Sequence, residues 1–194
     1  MNGIIIINKP EGWTSFDVCN KIRHLAKIKK VGHSGTLDPM ATGVLAVFLG
    51  TATKSVDKFL VGDKGYMAEM TLGVRTDTLD ATGKVLMTND PLDFARGQMT
   101  NEIQIREIFK KYSGRIKQKP PMFSAKKVNG QRLYKMARKG QEVEREDVDI
   151  TIYKMELLGI ENNKVRFEVL CSKGTYIRVL AADIGDDLGC GAHL

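Results

Sequence analysis

The residue whose type and setting could do chemistry is Asp38, which precedes Pro39 in a segment bounded by Gly35 and Gly43. Proline biases the residue before it toward an extended backbone, and the two glycines permit the conformations that an exposed tight loop requires. An ionised carboxylate presented in this way is able to act as a nucleophile. However, an Asp-Pro pair is also common in turns and at helix starts, so the pair taken alone favours a structural role.

Motifs for other kinds of chemistry are incomplete or missing. Gly50 to Ser55 is similar to a phosphate loop but lacks the glycine immediately before Lys54, and no G-x-G-x-x-G opens a helix after a strand. The three histidines do not form the zinc signature of a nucleobase deaminase. The three cysteines show no C-x-x-C pair, which predicts reduced thiols rather than a disulfide framework or a zinc site. We therefore expect neither a metal nor a cofactor.

An excess of basic side chains bears on the partners of the chain. Its 194 residues include 30 Lys and Arg against 23 Asp and Glu, with a net charge of +7 and a pI near 9.3. The basic residues concentrate around 115–140. This charge suits a polyanionic partner, although an ordinary solvated surface explains it equally well. The apolar run at residues 4–7 is too short for a signal or a membrane span, which predicts a soluble, cytoplasmic protein that does not bind membranes.

The elements next to Asp38 are predicted from apolar patterning. Gly3 to Ile7 indicates a buried strand, and Thr14 or Ser15 is placed to cap a helix that follows at once. The apolar face of this helix is expected to carry Val18, Ile22 and Leu25. An irregular loop is predicted from Gly32 to Gly43, before a second apolar strand at 44–49. The loop would thus be held between buried elements.

The rest of the chain mixes strands and helices without a regular βαβ alternation. We therefore predict one α+β domain with a mixed, largely antiparallel sheet flanked by helices. Asn101 with Gln104 resembles a capping box, opening a helix that Gly114 would stop. The other predicted elements are strands at 64–72, 84–86, 149–158 and 164–171, a short basic helix at 133–138 and a final helix at 175–188.

Five stretches, taken in order, resemble the TruB-type tRNA pseudouridine synthases. The longest is Gly32-His33-Ser34-Gly35-Thr36-Leu37-Asp38-Pro39-Met40-Ala41-Thr42-Gly43, which resembles the catalytic loop of that family. The other four are residues 9–15 (KPEGWTS), 73–80 (GVRTDTLD), 120–125 (PPMFSA) and 174–178 (GTYIR). The resemblance implies the pseudouridine synthase fold and isomerisation of uridine 55 in the T loop of tRNA, through base flipping and without a cofactor.

The resemblance also implies roles for individual residues. Asp38 would be the covalent catalyst, attacking either a sugar carbon or an activated pyrimidine carbon. Arg178 would pair with Asp38 and with Asp80, although a surface ion pair is its ordinary role. Tyr66 would stack on the target base, His33 would contact the flipped nucleotide, and Tyr176 would line the pocket. If a strand persists at 176–178, Tyr176 and Arg178 would project to the same face.

The resemblance covers nearly everything from Gly3 onward, whereas the family continues beyond Leu194. We expect a catalytic domain that is C-terminally incomplete, with a basic insertion around 115–140 and without the small RNA-binding PUA domain. The expected partner is the T stem-loop of tRNA, bound by a monomer that does not bind DNA. Two other hypotheses stay open, a tRNA-binding module without turnover and a nucleotide-binding enzyme built around Gly50 to Ser55.

Overall fold

The chain divides into two units, the first spanning Met1–Gly62 and the second Asp63–Leu194. The computed structural model describes four stretches of the sequence, residues 1–88, 102–124, 126–128 and 130–194. Within these stretches, no helix is both long enough and apolar enough to cross a membrane.

The first unit contains a three-stranded antiparallel sheet, one long helix and two short helices. In chain order its elements are β1 (Gly3–Lys9), α1 (Ser15–Ala26), β2 (Val31–His33), β3 (Gly43–Leu49), a 3-10 helix (Gly50–Ser55) and α2 (Val56–Leu60). The strand order in the sheet is β1-β3-β2. Helix α1 begins after Thr14, where the Thr14 and Asp17 side chains each bond the other residue's backbone amide, at 3.0 and 2.9 Å. The predicted cap is therefore confirmed as a capping box.

Strand β1 is buried on one face only, which corrects the prediction of a buried strand. Ile5 and Ile7 pack into the core of this unit, whereas Ile4 and Ile6 are 45% and 63% exposed. Successive side chains of a strand point to opposite faces, and a run of four isoleucines gives no sign of which face is covered. Leu25 was also predicted on the buried face of α1 and is 69% exposed. Residues that follow the helix, Ile28 and Val31, pack against this core.

The second unit is built on a five-stranded sheet. Its elements are β4 (Lys64–Leu72), β5 (Val74–Thr76), β6 (Val85–Thr88), α3 (Glu102–Lys111), β7 (Gly114–Gln118), β8 (Lys127–Val128), β9 (Gln131–Arg132), α4 (Leu133–Ala137), β10 (Val148–Glu161), β11 (Lys164–Cys171), α5 (Ile177–Asp187) and β12 (Ala192–His193). The strand order in the five-stranded sheet is β12-β4-β11-β10-β7, and all neighbours are antiparallel. The predicted α+β class with a largely antiparallel sheet is confirmed.

Strand β11 shows why this sheet forms where it does. Its residues alternate strictly between exposed and buried, and the buried set packs with residues of α3 and α5 in one core; these are Val165, Phe167, Val169 and Cys171. An antiparallel sheet with one covered face requires this alternation. The capping role predicted for Asn101 at the start of α3 lies outside the described residues.

Candidate functional site

Asp38 lies between two residues whose backbones are both held by hydrogen bonds. The amide of Leu37 donates to the hydroxyl of Ser15 at 2.9 Å. The carbonyl of Pro39 accepts from the amide of Gly12 at 2.8 Å. Because both neighbours are fixed, the side chain of Asp38 starts from a defined backbone position. The segment from Gly12 to Ser15 therefore acts as a support for the Asp38 loop.

A buried lysine provides a second support for this loop. Lys9, the last residue of β1, has no exposed surface. Its ammonium group donates to three backbone carbonyls, those of Pro10, Trp13 and Pro39, at 2.9, 2.6 and 3.1 Å. Burial lowers the pKa of Lys9, while the negative charges of Asp38 and Glu11 act in the opposite direction. A buried ammonium group is acceptable only when its donors are satisfied, and these three carbonyls satisfy them.

The ends of the Asp38 loop are set by glycines and by a short strand. Gly35 and Gly43 have φ values of +151° and +120°, a region that residues with a side chain rarely adopt. The loop starts later than predicted, because Gly32 and His33 belong to β2 and pair with β3. His33 Nδ1 lies 2.7 Å from the carbonyl oxygen of Gly35. That contact fixes the imidazole ring at the entrance to the loop.

In the second unit, Arg178 and Asp80 form a buried ion pair. Each residue is only 5% exposed, and the distance from Arg178 Nη1 to Asp80 Oδ2 is 3.6 Å. Arg178 also donates from Nη2 to the carbonyl of Phe123. The other carboxylate oxygen of Asp80 accepts from the Thr78 hydroxyl at 2.8 Å, the Thr82 hydroxyl at 2.6 Å and the Thr82 amide at 3.0 Å. These bonds hold the carboxylate, and through it the guanidinium, in one orientation.

Tyr176 and Arg178 do not lie on a strand, so the condition under which they would project to the same face is not met. Gly174, with a φ of +80°, turns the chain after β11, and Tyr176 is the residue that caps the start of α5. Arg178 is the second residue of that helix. Residues two positions apart in a helix point in different directions, so strand periodicity does not relate these two side chains.

Gln118 holds the backbone at Tyr176, a role that the sequence did not reveal. This glutamine ends β7 and is 2% exposed. Its amide nitrogen donates to the carbonyl of Tyr176 at 3.1 Å, and its amide oxygen accepts from the Tyr176 N–H at 2.8 Å. One side chain therefore satisfies both peptide groups of the residue that opens α5.

Tyr176 also lines a cleft of about 170 Å³. Two lysines, Lys126 and Lys173, and one carboxylate, Asp149, contribute to its wall, so the cleft carries charges of both signs. Tyr66 lies on β4, opposite Val169 of β11, and packs as a partly buried side chain against the core of the second unit. The same core includes Ile177, the first residue of α5.

The predicted basic segment forms an exposed cluster around α4. Arg132, Lys135 and Arg138 are all exposed, and the Arg138 guanidinium lies 5.6 Å from the centre of the Tyr134 ring. A hydrogen bond with Arg132 lowers the pKa of Tyr134, and the positive charges of Arg132, Lys135 and Arg138 act in the same direction. Three exposed cations and one tyrosine therefore lie close together, and we call this region the α4 surface (residues 132–138).

The six predicted site residues are divided between the two units. His33 and Asp38 belong to the first, and Tyr66, Asp80, Tyr176 and Arg178 belong to the second. The structure brings Asp80 and Arg178 together, while the contact of Asp38 with Arg178 stays a prediction. Sequence reasoning did not identify the supporting residues Lys9, Ser15, Thr78, Thr82 and Gln118. Lys9 and Ser15 lie in the family stretch 9–15, and Gln118 lies two residues before the stretch 120–125. Their residue types alone do not indicate that they support the backbone of the site.

The described residues contain no cluster of three or more His, Cys, Asp or Glu side chains suited to a metal. Cys19, Cys171 and Cys190 are buried thiols.

Comparison with known proteins defines first the fold and then the family. In a crystal structure of a Cbf5-Nop10-Gar1 complex, one chain is 34% identical, with a TM-score of 0.73 over 98% of this chain and 46% of that one. The fold is therefore that of the pseudouridine synthases. Residues 23–177 match the N-terminal domain of the TruB family of pseudouridylate synthases, and this chain belongs to that family.

Two relatives are about half identical to the chain over its full length. The tRNA pseudouridine synthase B of Clostridium kluyveri is 51% identical over 194 residues, and that of Clostridium tetani is 50% identical over 194 residues. The chain spans 65% of the length of each of these relatives.

Proposed function

We propose that this protein converts uridine 55 in the T loop of tRNA to pseudouridine, with Asp38 as the nucleophile. The proposal is carried by one observation, the position of Asp38 on a loop whose backbone is fixed on both sides. The family supports the same proposal, because the chain belongs to the TruB family and is 51% identical to a relative named tRNA pseudouridine synthase B.

The reaction is an isomerisation that needs no net oxidation or cofactor. The bond between N1 of the base and C1′ of the ribose breaks, the base turns, and C5 forms a new bond to C1′. The hydrogen on C5 leaves to water as a proton, and N1 gains a proton in exchange. Asp38 forms a transient covalent bond, either to C1′ or to a pyrimidine carbon, which divides one difficult step into two easier ones.

Arg178 is proposed as the partner that keeps the Asp38 carboxylate ionised and aimed. A guanidinium group suits this role because it offers a planar, two-pronged donor that stays charged at all working pH values. The buried ion pair with Asp80 and the hydrogen bond that Arg178 donates to the Phe123 carbonyl orient Arg178 before any substrate arrives. A preoriented cation costs no reorganisation during the reaction.

The target uridine must leave its stack to reach a carboxylate, so we propose roles for three aromatic or imidazole side chains in binding the extracted nucleotide. Tyr66 stacks on the base, Tyr176 lines the cleft of the second unit, and His33 contacts the flipped nucleotide. Bases in RNA loops are the easiest to extract and are commonly held by stacking on aromatic rings. The T loop supplies such a base.

The α4 surface is proposed to contact the phosphates of the T stem-loop. Its three exposed cations and the tyrosine beneath Arg138 resemble the combination of charge and stacking that proteins use on single-stranded RNA. These contacts position the RNA and carry no sequence information.

A tRNA transcript that lacks modifications tests the proposal. We expect one pseudouridine per molecule, mapped at position 55, and none in a matched transcript with cytidine at position 55. Pseudouridine at another position would contradict the assigned target. Tight tRNA binding with no pseudouridine at any position would contradict the enzyme and favour a tRNA-binding module.

A further inference from the structure

We infer that Gln118 is a positioning residue for the reaction, because it fixes the start of α5 and with it Tyr176 and Arg178. This role rests on the proposed function. It concerns a residue that touches neither the base nor Asp38 in the proposed mechanism and that acts through the backbone of Tyr176.

The geometry of this contact imitates strand pairing. Two residues that exchange both their N–H and their C=O are the repeating unit of an antiparallel ladder. At the end of β7 the backbone cannot continue such a ladder, because Pro120 and Pro121 have no N–H to donate. The side-chain amide of Gln118 supplies both groups in their place, at 3.1 and 2.8 Å from the peptide groups of Tyr176.

Tyr176, which Gln118 holds, is also the N-cap residue of α5. The carbonyl of Tyr176 accepts the first helical hydrogen bonds, from the amides of Val179 and Leu180, both at 3.1 Å. Tyr176 has no hydrogen bond from its own side chain to cap the helix. Gln118 therefore sets where α5 starts, and Arg178 follows two residues later with its guanidinium beside Asp80.

The turn before Tyr176 is secured separately. Ser172 exchanges two hydrogen bonds with the backbone of Thr151, at 2.8 and 2.9 Å, and the Thr175 hydroxyl donates to the Ser172 carbonyl at 2.9 Å. These bonds fix the turn as far as Thr175. The next residue, Tyr176, is held by Gln118. A substitution at position 118 is therefore expected to displace the start of α5 and to leave the turn before it in place.

Two substitutions at position 118 test the inference. Gln118→Met keeps the volume and removes both bonds, and Gln118→Glu keeps the acceptor and removes the donor when the introduced carboxyl is ionised. Val165→Ala is the matched control, because it also perturbs a fully buried site of this unit but lies at the other end of β11 from the turn. For each variant we would measure kcat, the Kd for tRNA and the hydrogen exchange rate of the Tyr176 amide.

For Gln118→Met we expect kcat to fall on the order of 10- to 100-fold, because small displacements of positioned groups have effects of this size. The Kd for tRNA should stay within about twofold, since phosphate contacts dominate affinity. The Tyr176 amide should exchange faster than in wild type and in Val165→Ala. For Gln118→Glu, kcat relative to wild type should rise as the pH is lowered, because a protonated carboxyl regains the donor and burial raises its pKa.

The outcomes separate this inference from the proposed function. We call the two hydrogen bonds between the Gln118 side chain and the Tyr176 backbone the clamp. An unchanged exchange rate of the Tyr176 amide in Gln118→Met would show that the clamp does not hold this residue. Faster exchange with wild-type kcat, or an equal fall of kcat in Val165→Ala, would overturn the positioning role while the proposed function stands. A wild-type chain that binds tRNA and makes no pseudouridine would overturn the proposed function and the positioning role together, and the exchange rate would still report whether the clamp exists.

Discussion

The ammonium nitrogen of Lys9 lies 3.1 Å from the carbonyl oxygen of Pro39, so a fully buried cation holds the residue that follows Asp38. The same ammonium group bonds the carbonyls of Pro10 and Trp13. It thus joins the end of β1, the turn before α1 and the Asp38 loop. A lysine in this place stabilises the loop and also puts a positive charge near the carboxylate.

Replacing Lys9 by methionine should therefore destabilise the protein. The substitution keeps most of the side-chain volume but removes the ammonium donor from three backbone carbonyls, of which that of Pro39 keeps its bond from the Gly12 amide. We expect a loss of about 2 to 4 kcal/mol in the free energy of unfolding. The control is Lys21→Met on the exposed side of α1, for which the change should stay within about 0.5 kcal/mol. Urea denaturation measures both. Equal stability of the two variants would refute the structural role of Lys9.

The ion pair of Asp80 with Arg178 predicts strong coupling between these two residues. Asp80→Asn leaves the buried guanidinium without its counter-charge and should cost about 3 kcal/mol of stability. In Arg178→Met the buried positive charge is absent, so introducing Asp80→Asn into that variant should reduce the free energy of unfolding by less than it does in wild type. A double-mutant cycle should give a coupling energy above about 1 kcal/mol. Strictly additive effects would show that the pair makes no energetic contact.

Asp183 predicts a pH dependence of stability. Burial, and next the negative charge of Asp187, raise the pKa of Asp183 from 3.8 to about 6. Between about pH 4 and about pH 6 the folded chain keeps a proton that the unfolded chain has lost. The stability that this group contributes is therefore complete below its unfolded pKa and is lost as the pH rises through its folded pKa.

The comparison of wild type with Asp183→Asn isolates this effect from the other carboxylates. The variant should gain stability relative to wild type as the pH rises from 4 to 7, by on the order of 1 to 2 kcal/mol once solvent screening is allowed for. Denaturation at several pH values provides the measurement. A difference between the two proteins that is constant across this range would rule out a raised pKa at Asp183.

The α4 surface predicts a steep dependence of tRNA affinity on salt. If about five basic residues of the segment around 115–140 neutralise phosphates, a plot of the logarithm of the binding constant against the logarithm of the salt concentration should have a slope of roughly −3 to −4. The triple variant Arg132→Ala, Lys135→Ala, Arg138→Ala should reduce its magnitude by about 2. The control removes three exposed lysines elsewhere in the second unit, Lys110, Lys154 and Lys164, for the same change of net charge. Equal slopes for both triple variants would place the phosphate contacts elsewhere.

Local patterning was enough to predict several elements but not how far each is buried. The bounds of β11 agree with the prediction because its apolar residues alternate and an Asn-Asn turn precedes it. The run from Ile4 to Ile7 predicted a strand correctly and its burial wrongly, since identical residues on both faces carry no alternation. Helix α5 starts two residues later than predicted, because its first residue is set by Gln118 and not by its own sequence.

The supports of the candidate site could not be predicted for a different reason. A lysine is expected at the surface, and Lys9 is buried only because the fold brings together carbonyls from residues 10, 13 and 39. Gln118 and Tyr176 are 58 positions apart in the sequence. Such contacts arise from tertiary structure, whereas Asp38 itself was identified through the resemblance of its whole loop to one family.

The release of tritium from C5-labelled uridine in an unmodified tRNA transcript tests the role of Asp38 most directly. We predict that wild type releases tritium and that Asp38→Asn lowers the rate by on the order of 10⁴-fold or more, as removal of a nucleophile does, with tRNA binding retained. Asp57→Asn, a change of another carboxylate of the first unit, should release tritium at the wild-type rate. Release by Asp38→Asn at a rate near that of wild type would contradict the assignment of Asp38 as the nucleophile.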